Sequence, residues 1–107
     1  MSAKEFETEI VQRVLVGPAP TGGELEVMYA SRGSIEGIGK HPQSPNPTGI
    51  RGRWMLDDAG RTCSTYSTAD VRLPYRCQYW FKLADKYYIS DSDVDRSAKV
   101  LSRTIKQ

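Results

Sequence analysis

The two cysteines, Cys63 and Cys77, are the residues whose type and spacing point most directly to chemistry. They lie in two runs rich in Thr and aromatic residues, 61–66 and 75–81, and such runs are typical of half-buried strands. A hairpin about Asp70 would place the two cysteines directly opposite each other. Paired residues of antiparallel strands lie about 4.5–5.5 Å apart at Cα, within the range that a disulfide spans. The spacing therefore predicts a Cys63–Cys77 disulfide and an oxidising compartment.

A catalytic thiol and a metal-binding thiol are the alternatives for these two residues. A nucleophilic cysteine needs a base and a group that orients the base. The single histidine, His41, precedes a proline in a predicted loop. Two cysteines and one histidine also fall short of the four ligands of a structural zinc site. We therefore expect no catalytic residue, no metal and no cofactor, and a protein that is not an enzyme.

An acidic run near the carboxyl end has the spacing of the first calcium ligands of an EF-hand loop, with Asp91, Asp93 and Asp95. The rest of that motif is missing, because Arg96 stands where a glycine is required and Ser102 where a bidentate Glu belongs. A solvated turn between strands is the favoured interpretation.

Composition indicates one domain without a strongly charged surface. The chain has 107 residues, of which 38% are hydrophobic, and 15 basic against 13 acidic residues give a net charge of +2. This charge is too small to indicate a nucleic acid or an anionic membrane as partner. No apolar run approaches the roughly 20 residues that a membrane-spanning helix needs.

The first residues do not read as a secretory leader, because residues 1–7 are acidic and polar where a charged region and an apolar core would stand. Two explanations are open. The protein is either cytoplasmic with two free thiols, or a mature secreted domain whose leader was replaced by an initiator Met. The predicted disulfide favours a periplasmic or secreted location.

The amino-terminal segment has the pattern of a helix over residues 2–14. Ser2 and Glu5 have the spacing of a capping box. Apolar residues recur every four positions, at Phe6, Ile10 and Val14. The segment 17–23, rich in Gly and Pro, then ends the helix.

From residue 24 onward the apolar period changes to two, which is typical of strands. Predicted strands cover residues 24–29, 34–39, 53–56, 61–67, 75–83, 87–90 and 97–105. The last run is open between strand and helix, and its β-branched residues favour strand. We therefore predict one mainly β domain over 1–107, an antiparallel meander of about seven strands over 24–105 that forms a barrel or half-barrel, with the 2–14 helix covering its open end.

Residues 52–63 and 77–80 resemble a family of small, uncharacterised bacterial extracytoplasmic β-proteins. The pattern shared with that family is G-x-W, then D-x-x-G-R-x-C, then C-x-x-W, which here runs from Gly52 to Cys63 and from Cys77 to Trp80. The resemblance implies a lipocalin-like or half-barrel fold, export and a disulfide, and it implies no activity.

Two features suggest a recognition surface. The first is the Pro-rich loop over residues 40–50, since long loops on small scaffolds often carry function. The second is Trp80, which shares one face of its predicted strand with Arg76, Gln78 and Lys82. The opposite face, with Cys77, Tyr79 and Phe81, is predicted to face the core. Trp80 is then either covered by Phe6 and Ile10 of the helix or free to anchor a partner.

These features predict a non-enzymatic binding module of the bacterial cell envelope that recognises a small apolar ligand or a protein. The candidate binding residues are Trp80, His41, Pro45, Asn46 and Pro47. A first alternative is an inhibitor of an extracellular hydrolase, whose Pro-rich loop enters the target cleft. A second is a binder of single-stranded nucleic acid that stacks bases on tyrosines interleaved with Arg and Lys, which the small net charge disfavours.

Overall fold

The computed structural model describes residues 1–19, 22–41, 43, 46–68, 72–92 and 100–106. These residues form one helix and eight strands. The elements are α1 (Ala3–Glu9), β1 (Val14–Pro18), β2 (Glu24–Tyr29), β3 (Ser34–Lys40), β4 (Thr48–Leu56), β5 (Thr62–Ser67), β6 (Arg72–Leu83), β7 (Lys86–Ser90) and β8 (Val100–Ile105). Each strand pairs antiparallel with the next, and β1 pairs with β8, so that the sheet closes into a barrel. The predicted mainly β fold with an amino-terminal helix is confirmed, with eight strands in place of about seven.

The helix begins as predicted but ends earlier than residue 14. The capping box is present, because the Ser2 side chain accepts from the Glu5 amide at 3.1 Å and the Glu5 carboxylate accepts from the Ser2 amide at 3.0 Å. The chain then turns at Gln12, whose φ of +68° is incompatible with a right-handed helix. The Gln12 amide donates to the carbonyl of Tyr29 at 2.8 Å, which directs the chain into the sheet.

The strand that the sequence pattern missed is β1. Val14 continues the four-residue recurrence of the helix, yet it is the first residue of this strand and is exposed, while Leu15 is buried. Val14 and Val16 are β-branched and favour extended backbone. Their pairing with Met28 and Glu26 makes β1 the strand that completes the barrel.

Two glycines occupy backbone positions that favour this residue. Gly60 has a φ of +80°, as expected for the turn after Asp57. Gly37 marks a close approach of two strands, because a Cβ there would lie 2.0 Å from the carbonyl oxygen of Glu26. The final run is a strand from Val100, as favoured, and residues 93–99 lie outside the described residues.

The predicted assignment of the two faces of β6 is wrong. Trp80 is only 4% exposed and belongs to the core, whereas Phe81, on the predicted core face, is 38% exposed. Arg76 and Gln78 share the inward face with Trp80 and line the barrel interior. The polarity pattern misleads here because part of this barrel interior is itself polar.

The Cys63–Cys77 disulfide is present, as predicted. The two residues are directly paired across β5 and β6, with Cα atoms 3.9 Å apart. Their neighbours Ser64 and Gln78 line the interior, so the alternation of side chains places the disulfide on the outer face of the barrel. The bond therefore joins β5 to β6 without occupying space in the core.

Aromatic rings under the helix fill one end of the barrel. The ring of Phe6 lies 5.7, 5.4 and 5.2 Å from those of Tyr29, Trp54 and Trp80, measured between centroids. The amino group of Met1 also donates to the carbonyl of Trp80 at 2.7 Å. Of the two alternatives for Trp80, the structure shows cover by the helix. This end of the barrel is closed.

No described helix has the length and apolar character needed to cross a membrane.

Purified without reductant, the protein is expected to carry one intramolecular disulfide per chain. A bond that closes a loop of about 15 residues contributes roughly 3 kcal/mol in the chain-entropy account. Reduction should raise the intact mass by two hydrogen atoms. It should also lower the free energy of unfolding by roughly 3 kcal/mol. Two alkylatable thiols in the native, unreduced protein would contradict this assignment.

Replacing Phe6 by Ala should destabilise the barrel by about 3–5 kcal/mol, because the ring is buried against three other aromatic side chains. Chemical denaturation measures the change. Glu7→Ala, at an exposed position of the same helix, is the matched control and should change the free energy of unfolding by less than about 0.5 kcal/mol. Equal stabilities of the two variants would show that the helix does not plug the barrel.

Candidate functional site

A cavity of about 360 Å³ occupies the other end of the barrel. It opens where β1 ends and β2 begins, at Ala19, Gly22 and Glu24, whereas the helix covers the end where β1 starts. Apolar side chains from five strands form much of its wall, namely Leu25, Ile50, Leu73, Ile89 and Leu101. Among the described residues, the cavity is therefore a largely apolar chamber at the end of the barrel opposite the helix.

A bulge in β6 shapes one wall. Between the pairs Ser64–Arg76 and Tyr66–Leu73, β6 has one more residue than β5. The bulge contains Pro74, which lacks an amide hydrogen and is tolerated in strands mainly at such sites. Because of the extra residue, Leu73 and Arg76 both line the cavity although they are an odd number of residues apart.

The side chain of Arg103 enters the cavity from β8. The residue is only 4% exposed, and its Nη1 donates to the carbonyls of Pro18 at 2.8 Å and Ser102 at 2.7 Å. Room for the guanidinium exists because residue 17 is a glycine, where a Cβ would lie 2.9 Å from Nη1 and 2.2 Å from the Ser102 carbonyl oxygen. The Gly-Pro pair that the sequence pattern assigns to a helix break thus accommodates a buried cation.

No carboxylate neutralises this guanidinium within the described part of the chain. Burial lowers the pKa of Arg103, which reflects the unfavourable desolvation of its charge, although arginine remains protonated. Nearby, the hydroxyls of Tyr29 and Tyr66 are hydrogen-bonded to each other. Burial raises the pKa of Tyr29 well above its usual value, so its hydroxyl is neutral and supplies no counter-charge.

The rim of the cavity is polar and carries both cationic and anionic side chains. Arg76 binds both carboxylate oxygens of Asp91, at 2.7 and 2.6 Å, and Gln78 donates to the same carboxylate at 3.1 Å. Lys40 and Glu24 are exposed at the rim. Asp91, considered above as a calcium ligand, is thus engaged by an arginine. Asp93 and Asp95 lie outside the described residues.

The Pro-rich connection is shorter than predicted, because β3 extends to Lys40 and β4 begins at Thr48. His41 lines the cavity rim, is exposed, and accepts a hydrogen bond at Nδ1 from the amide of Gln43 at 3.2 Å. Asn46 and Pro47 are exposed, and Pro45 lies outside the described residues. Of the predicted binding residues, His41 borders the cavity, whereas Trp80 lies in the closed, aromatic end.

One cluster of metal-ligand atoms occurs among the described residues, formed by Asp57, Cys63 and Cys77, whose atoms lie within 4.8 Å of one another. The two sulfur atoms are bonded to each other and offer no thiolate. Asp57 in turn accepts from the Arg61 side chain at 2.7 Å and from the Arg61 amide at 2.7 Å. This cluster stabilises the β4–β5 turn and has no free thiolate to offer a metal.

The sequence pattern missed the residues that give the cavity its chemistry. Arg103 lies in an alternating run whose polar members are expected to face water, and Arg76 lies on the β6 face predicted to be wet. The alternation itself holds the available signal, since Arg103 shares its phase with Leu101 and Ile105. An arginine in phase with apolar residues indicates a cation that the fold buries.

Comparison with known proteins adds no identification. No protein-family model, curated protein or solved structure matches the chain. Of the features that the resemblance noted above implies, the structure shows the β-barrel and the disulfide.

Proposed function

We propose that this protein is a non-enzymatic binding protein that holds a small, mainly apolar molecule in the open end of its barrel. The observation that carries the proposal is the cavity of about 360 Å³, since ligand sites are concave, largely apolar chambers with a few placed polar groups. The closed end supports it, because the helix and the aromatic cluster fill that end and the space among the described residues lies at the other end.

The volume of the cavity limits the size of the ligand. It corresponds to about a dozen water molecules at roughly 30 Å³ each. A straight chain of eight carbon atoms with a small head group has a comparable number of non-hydrogen atoms. Burying such a chain contributes about 0.8 kcal/mol per methylene, or about 6 kcal/mol in all, so that the chain alone gives a dissociation constant no lower than tens of micromolar once the cost of association is included.

The proposed location is the bacterial cell envelope, periplasmic or secreted. Disulfides persist in oxidising compartments and are rare in the cytosol. The Cys63–Cys77 bond supports this location, together with the resemblance to extracytoplasmic proteins. A protein partner, such as an extracellular hydrolase, is the competing proposal and would use the exposed residues of the 41–47 connection, including Asn46 and Pro47.

Calorimetric titration with three eight-carbon compounds, 1-octanol, octanoate and octylamine, is the direct test. At least one of them should bind with a stoichiometry of one. Gly39→Phe should abolish that binding, because a Cβ at this lining position makes only ordinary contact, 3.5 Å from Cδ1 of Ile50, and the ring then fills the cavity.

Gly49→Phe is the matched control for this test. Gly49 lies on the adjacent strand β4, is exposed, and has no heavy atom within 4 Å of an added Cβ. The control variant should bind as the wild type does. If none of the three compounds binds, or if the two phenylalanine variants bind equally, the cavity is not a ligand site.

A further inference from the structure

We propose that the ligand of this cavity is an amphipathic carboxylate, with its head group bound by the guanidinium of Arg103 and its chain packed against the apolar wall. This inference rests on the proposed function and specifies the chemistry of the same site. It derives from the buried charge of Arg103, which has no ion-pair partner among the described residues, rather than from the volume of the cavity.

The guanidinium presents a free edge to the cavity. Nη1 is occupied by the carbonyls of Pro18 and Ser102, whereas Nε and Nη2 have no hydrogen-bond partner among the described residues. These two nitrogens carry parallel N–H groups, the arrangement that binds both oxygens of a carboxylate at once. The backbone contacts therefore hold the group in place and leave its bidentate edge available.

The charges around the cavity favour an anion. Arg103 lies within it and Lys40 on its rim, and neither forms an ion pair within the described part of the chain. The one acidic side chain among the described lining residues is Glu24, which is exposed at the rim. Arg76 is already neutralised by Asp91. A cation buried without a counter-ion is unfavourable, and a bound carboxylate would supply the missing charge.

A purely structural role does not account for the choice of arginine. Nη1 joins two carbonyls that lie on either side of the β1–β8 seam. This connection requires only one nitrogen with two hydrogens, which the neutral amide of a Gln also supplies. A guanidinium adds an unfavourable desolvation and three further donors that the described residues leave unused. The cavity wall supplies the other half of the ligand site, since Ile89 and Leu101 line the same chamber as Arg103.

The test compares ligands of equal chain length by calorimetry on the full chain. Octanoate should bind the wild type at least tenfold more tightly than 1-octanol or methyl octanoate, and more tightly than octyl phosphate. Arg103→Met should reduce that preference to less than twofold while binding of 1-octanol persists. Arg53→Met, the same substitution at an exposed arginine of β4 that does not line the cavity, should keep the preference.

The outcomes separate this inference from the proposed function. If octanoate and 1-octanol bind the wild type equally, or if Arg103→Met keeps the preference, the head-group assignment is overturned and the cavity site stands. Tighter binding of octyl phosphate overturns the choice of carboxylate. If no compound binds, both proposals fail. The wild-type comparison requires no substitution. If the Met variant does not fold, Arg103→Lys replaces it; this variant keeps the charge, loses the two-nitrogen edge and should reduce the preference for octanoate.

Discussion

The seam between β1 and β8 closes the sheet into a barrel, and Arg103, the buried cation among the described residues, lies beside it. Only two residue pairs join these strands, Leu15–Ile105 and Val16–Thr104, with a further hydrogen bond from the Lys106 amide to the Val14 carbonyl. Beyond them, Arg103 continues the connection by donating to the Pro18 carbonyl. Closure leaves the sheet without an exposed strand edge. The same side chain thus helps to close the barrel and places a charge inside it.

Closure also produces two unlike ends. Helix α1 places Phe6 against the aromatic rings at one end, and that end is packed as a protein core. At the other end the bulge at Pro74 and the glycine at 39 leave space inside the barrel, whereas the Arg103 side chain and the Ser102 carbonyl occupy the space beside Gly17. The barrel therefore has one filled end and one hollow end among its described residues, and the proposed recognition would depend on the few polar groups inside the cavity rather than on its rim.

The sequence predicted the parts of this structure that depend on local chemistry. Paired placement of Cys63 and Cys77 followed from two strand-like runs, and the Ser2 cap followed from its spacing to Glu5. The sequence pattern missed β1, because the four-residue recurrence that marks a helix extends by coincidence to Val14. Only the long-range pairing of β1 with β2 and β8 shows that Val14 lies in a strand. The pattern also reversed the faces of β6, since alternation of polarity identifies the outside only when the interior is uniformly apolar. The cavity is formed by strands distant in sequence, so no local pattern predicts it, and the only local signal for Arg103 is the phase that it shares with Leu101 and Ile105.

The central claim, that the hollow end binds a carboxylate at Arg103, is tested most directly by the position of a bound ligand. Crystals grown with 8-bromooctanoate allow the bromine to be located by its anomalous scattering and the head group by difference density. We expect the carboxylate within hydrogen-bond distance of Nε and Nη2 of Arg103, with the bromine lying against the apolar wall beside Ile50 and Leu73. Bromine on the outer surface of the barrel, or a head group directed away from Arg103, would contradict it.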